Sequence, residues 1–124
     1  MAVPILQLRS YLIAPLPSAV TDADMLRLQD EVTERAGDPD AHGLILDVSV
    51  VDVMDSFATR MLRSIAQTAR LRGTEAVIVG IRPEVAFAMV QLGLTLDVAT
   101  ALDLDEAVDY LDAILAPREG SAGV

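Results

Sequence analysis

The sequence contains no cysteine. Disulfides, thiolate nucleophiles and cysteine-ligated metals are therefore excluded, and the chain suits a reducing compartment, the cytoplasm. Lysine is missing as well, and all 9 basic residues are arginine. Schiff-base chemistry and a P-loop lysine fall with it. Tryptophan is absent and aromatic residues make up 3% of the chain, which leaves no platform for stacking bases. Histidine occurs once, His42, in a Gly/Asp/Pro turn. No nucleophile and orienting carboxylate are patterned around it, so a catalytic triad is not expected. Neither a Walker motif nor GxGxxG occurs. No apolar run approaches the roughly 20 residues of a membrane span. The opening residues also lack the basic-then-apolar order of a signal peptide. An enzyme, a cofactor and a membrane anchor are not expected.

What is present is hydrophobic bulk and negative charge. The 124 residues suffice for one domain, and at 52% hydrophobic they can bury a core without staples. Acidic residues number 19, for a net charge of −10. Such a surface repels a phosphate backbone, so nucleic acid is not an expected partner.

Local patterns give an α/β order. Val3–Leu8 and Tyr11–Leu16 are short apolar runs split by Arg9-Ser10 and read as a strand pair, with Pro4 suited to an edge. Thr21-Asp22 opens a helix in which Met25, Leu28 and Val32 recur at helical spacing. Residues 37–40 form a turn, and Gly43–Val48 is a strand apolar enough to be buried on both faces. A loop follows over Ser49–Asp55. The next helix spans Ser56–Leu71, with Met61, Leu62, Ile65, Ala66 and Ala69 on its inner stripe.

Ala76–Val79 is a second buried strand. Pro83 suits the first turn of a helix that carries Val85, Met89 and Val90 up to Gly93. A weak strand is expected over Leu94–Val98. The last helix runs from Leu104 to Leu115, with Ala107, Val108, Leu111 and Leu115 inward. Together these predict a mixed, mostly parallel central sheet with about four helices and right-handed crossovers. The expected domain is 1–116, and 117–124 is expected to be a flexible tail. Exposed edge strands and the apolar N-terminal pair predict at least a dimer.

Functional groups in such a fold gather on loops at the carboxyl ends of the strands, here residues 49–55. Asp47, Asp52 and Asp55 lie close in sequence, but in so acidic a chain they read as loop acids and a helix cap rather than a metal site. Asp55 is placed to cap the helix that follows. Ser56 then falls on the first helical turn, where free N–H groups and the positive helix end favour a phosphate. Behind it, Arg60, Arg63, Gln67 and Arg70 recur at i, i+3, i+7 and i+10 and form one helical face.

The stretch GLILDVSVVDVMDSFATRMLRSIAQTARLRG, then AVIVGIRPEVAFAMVQLGL, resembles the sulfate-transporter and anti-sigma-factor-antagonist (STAS) family. VPILQLRSYLIAPL and TALDLDEAVDYL extend the likeness over nearly the whole chain. Asp-Ser-Phe at 55–57 combined with Gly-Ile-x-Pro at 80–83 is its most specific element. The resemblance is strongest to the single-domain stressosome antagonists.

That resemblance implies the STAS fold and a phosphorylation switch. Ser56 matches the serine modified by a switch serine/threonine kinase. The unmodified protein holds that kinase in a large assembly with sensor-bearing STAS paralogues; modification releases it, and a phosphatase resets the state. The partner surface is expected to include Asp52, Asp55, Ser56, Phe57, Arg60 and Arg63. Sensor paralogues carry threonine acceptors, one of them in the helix after GIRPE. Ala88 stands near that point here, which favours the single-acceptor antagonist. Two other roles stay open: a simple anti-anti-sigma factor that binds its anti-sigma kinase directly, and a STAS module that senses a nucleotide or lipid near residues 49–56.

Overall fold

Two apolar runs too short for helices form the centre of the molecule. Gly43–Asp47 (β3) and Glu75–Val79 (β4) pair in parallel, and Leu44, Ile45, Leu46, Val77 and Ile78 are fully buried. The computed structural model describes residues 3–116 of the chain; the expected tail at 117–124 lies outside the described residues. Tyr11–Pro15 (β2) runs parallel to β3, and Leu6–Leu8 (β1) folds back on it antiparallel through the two-residue turn Arg9-Ser10. Ala99–Ala101 (β5) adds to the far side of β4 in parallel. The sheet order is β1-β2-β3-β4-β5, the mixed, mostly parallel sheet that the sequence predicts.

Helices cover its two faces unequally. Asp22–Arg35 (α1), Ser56–Leu71 (α2) and Pro83–Gln91 (α3) lie on one side. There Met25, Leu28, Val32, Leu62, Ile65, Val85 and Met89 join Leu12, Leu44, Leu46 and Ile78 in the larger core. Leu104–Leu115 (α4) lies on the other side, where Ala107 and Leu111 meet Tyr11, Ile45, Val77 and Val79. Because side chains alternate along a strand, neighbours such as Ile45 and Leu46 serve different cores.

The helix starts are where the caps place them. Thr21 and Asp24 form a reciprocal capping box: Thr21 Oγ1 accepts from Asp24 N–H at 3.0 Å, and the Asp24 carboxylate accepts from Thr21 N–H at 3.3 Å. The Thr21 backbone N–H, and next its side chain, hold the Asp24 carboxyl below the usual carboxylate range. Pro83 sits in the first turn of α3, where its missing N–H costs nothing.

The structure corrects several boundaries. The first strand covers Leu6–Leu8, so Val3, Pro4 and Ile5 precede it. The second stops at Pro15; Leu16 N–H still bonds the Asp47 carbonyl at 2.9 Å. No strand forms over Leu94–Val98. Gly93 and Asp97 both take positive φ, which breaks the extended path. Leu96 instead buries itself in the larger core, and the small residues Ala99–Ala101 make the pairing. Leu115 is 38% exposed and so leaves the inner stripe assigned to it; in α3, Val85 and Met89 are buried and Val90 is exposed.

Candidate functional site

The loops after β3 and β4 leave the same end of the sheet, and they are tied together. Val48 N–H donates to the Val79 carbonyl at 2.9 Å, which continues the pairing one residue beyond β3. The Asp47 carboxylate then accepts from Ser49 N–H at 2.9 Å and turns the chain. Val51 and Met54 point inward and anchor the loop, while Val50 and Val53 point out and are exposed. Gly80, at φ +78°, is packed so closely that an added Cβ would lie 2.7 Å from Ser49 Cβ.

Arg82 closes this arrangement. Its guanidinium donates to Asp52 Oδ1 at 2.6 Å and lies 3.5 Å from Glu84. The ion pair links the middle of the 49–55 loop to the start of α3. Arg82 was not among the residues that the sequence singled out. Its signal was the unassigned x of the Gly-Ile-x-Pro motif.

Asp55 caps α2 as expected, accepting from Ala58 N–H at 2.8 Å. The Asp55 carbonyl accepts from the Thr59 hydroxyl at 2.9 Å and so secures the first turn. Ser56 is the first residue of α2 and is half-buried. Its hydroxyl has no hydrogen-bond partner among the described residues. Phe57 packs half-buried against the larger core. Arg60, one turn beyond Ser56, is exposed.

The remaining residues of the expected arginine ridge are differently placed. Arg63 is half-buried and donates to the Thr95 carbonyl at 3.1 Å, while Arg70 lies 3.8 Å from Glu75. Arg60, Gln67 and Arg70 are exposed, and Arg63 is the half-buried member. His42 is exposed just before β3, at the opposite end of the sheet from the loop that follows it. Asp47, Asp52 and Asp55 each serve a separate contact, and no group of three potential metal ligands occurs among the described residues.

A cleft of about 360 Å³ lies beside the loop, lined in part by Leu16, Val20, Met25, Val51, Met54 and Leu62. Asp52 and Asp55 stand at its wall, and arginine is absent from its lining. Nearby carboxylates make it a poor seat for an unaided phosphate group.

A family model for the STAS domain matches residues 3–107. The chain belongs to the STAS domain family. It is similar to a serine-to-glutamate variant of RsbS from Moorella thermoacetica, at 33% identity over 90% of this chain and 96% of that one, with a TM-score of 0.78. It is also similar to a chain from a structure of the stressosome, described as a signal integration and transduction hub. That match has 32% identity over 92% of this chain and 100% of the other, with a TM-score of 0.77. Among curated proteins it resembles the RsbT co-antagonist protein RsbRD of Bacillus subtilis, at 30% identity over 82 residues, which are 66% of this chain and 30% of that protein. The chain spans about half or less of the length of the curated relatives it matches. Among the described residues, no helix is long and apolar enough to cross a membrane.

Proposed function

We propose that this STAS domain is a non-catalytic antagonist of RsbS type, acting in the cytoplasm. It holds a switch serine/threonine kinase within a stressosome-like assembly and releases it when Ser56 is phosphorylated. The observation that carries this reading is the Ser56 hydroxyl. The residue is half-buried, on the first turn of a capped helix, and its hydroxyl has no hydrogen-bond partner among the described residues. The likeness to RsbS and to a stressosome chain supports the assembly, with RsbR-like STAS paralogues as its other members. A phosphatase resets the cycle. The sheet edges at β1 and β5 are the surfaces offered for self-association.

Electrostatics explains why the switch acts on a partner and leaves the fold intact. A phosphate adds about −1.5 to −2 charges. Inside the domain the α2 N–H groups and Arg60, four residues on, attract it, while Asp52 and Asp55 repel it. These effects oppose each other. A kinase docked over Asp52, Asp55, Ser56 and Phe57 meets the new charge with no such offset.

Calorimetry with the cognate kinase tests this. Ser56→Asp is expected to bind about tenfold more weakly than wild type, with an unchanged circular dichroism spectrum. Equal affinity of the two proteins removes the switch. The cleft beside the loop favours one second reading, a sensor of a small, mostly apolar ligand. Strong thermal stabilisation by one compound from a nucleotide and lipid screen, lost in Met54→Arg, is the result that supports it.

A further inference from the structure

We propose that Arg82 is a positioning residue for the Ser56 switch, clamping the 49–55 loop in the form that the kinase reads. Arg82 is the N-cap residue of α3, and it breaks the local rule for that position. An N-cap favours serine, threonine, aspartate or asparagine, whose short side chain accepts from the first free N–H groups. Arginine has no acceptor to offer, and α3 has no side-chain cap bond. A cation there also stands at the positive end of the helix. The helices α1, α2 and α4 follow the rule, with Thr21, Asp55 and Asp103 as caps that accept from the first turn. A residue that gives up local stability is expected where it serves a site.

What Arg82 gains is contact outside its helix. Its guanidinium donates to Asp52 Oδ1 at 2.6 Å, and its Nε lies 3.5 Å from Glu84. The backbone ties of the loop are uneven. Val51 N–H donates to the Val48 carbonyl at 3.0 Å, whereas Asp52 N–H reaches the Ser18 carbonyl only at 3.4 Å. That bond is long, so the loop is weakly held at Asp52 by its backbone alone. An ion pair between solvated side chains is usually weak, because two chains must be ordered to form it. Two contacts lower that demand here. Glu84 also meets the guanidinium and limits its freedom, and the Gly80–Ser49 approach brings the two loops together at their bases. Asp52 lies four residues before Ser56, and Asp55 between them caps α2. The course of the loop therefore sets the surface around the hydroxyl. This role in the switch rests on the Ser56 reading, whereas the clamp rests on the ion pair itself.

Arg82→Ser separates this role from a merely structural one, because it supplies a proper cap while removing the clamp. Its urea midpoint is expected to equal or exceed that of the wild type. In hydrogen exchange of the full chain, the Val51 and Asp52 amides are expected to exchange about threefold faster, and those of Leu46 and Ile78 no faster. Asp52→Ala should give the same loop effect, and the double variant no more than either alone. Arg82→Lys, which keeps the charge, should fall between. Phosphorylation of Ser56 by the cognate kinase should lose about threefold in kcat/KM in Arg82→Ser, through a raised KM with kcat kept. Unchanged loop exchange in Arg82→Ser overturns the clamp. A lowered urea midpoint with all amides faster alike does the same, because Arg82 is then an ordinary structural contact. Faster loop exchange with Ser56 modified at the wild-type rate removes Arg82 from the switch. If the kinase leaves wild-type Ser56 unmodified, it is the Ser56 reading that fails, and the exchange rates decide the clamp by themselves.

Discussion

Tyr11 shows how one side chain ties the two layers of the domain. Its ring is buried against Leu111, and its hydroxyl donates to Asp112 across the α4 interface. Burial, and next the hydrogen bond to the carboxylate, push its pKa from 10.0 up to about 12. The protonated phenol is thus the form the fold favours. Its contribution is complete below about pH 10, the unfolded value, and is lost as pH rises through about 12. Urea denaturation should show stability falling over that window in wild type and a smaller fall in Tyr11→Phe. At pH 7 the same variant should be less stable by about 1 kcal/mol, the usual worth of one such bond. At the same scale, Asp55→Ala removes the cap from α2 and is expected to cost about 1 kcal/mol. Ser56, next in the chain, has no side-chain hydrogen bond among the described residues, so Ser56→Ala should be close to neutral for stability.

The 49–55 loop depends on an approach that the sequence displays as a single glycine. Gly80 has a positive φ and touches Ser49, so Gly80→Ala must both adopt an unfavourable backbone and displace the loop. The variant is expected to lose about 1–3 kcal/mol in urea denaturation and to bind the kinase more weakly; unchanged values for both would show that the contact is dispensable. The helices were legible because their caps and stripes are local signals. Thr21, Asp55 and Pro83 marked three starts, and Met25, Leu28, Leu62 and Ile65 marked two buried faces. The two central strands were legible as unbroken apolar runs. The last strand was not, because Leu94, Leu96 and Val98 alternate as a strand does while Asp97 at positive φ breaks it, and the pairing falls to small residues with weak strand preference. Ser56 and its cap were legible from the helix start. The Arg82–Asp52 pair was not, since two loops some thirty residues apart meet only in the folded chain.

The whole molecule is a sheet with different business on its two faces and its two ends. Ile45 and Leu46, adjacent in β3, fill separate cores, and either change to alanine should cost about 2–5 kcal/mol in denaturation. On the proposed reading, a charge added at Ser56 alters the surface while this core keeps the scaffold. In the proposed cycle that surface releases the kinase. The most direct measurement is phosphorylation of the full chain by its cognate kinase, mapped by mass spectrometry and followed by calorimetry of the modified protein with the same kinase. The account predicts one phosphate, on Ser56, and binding weakened about tenfold. A phosphate mapped elsewhere, or full affinity after modification of Ser56, would contradict it.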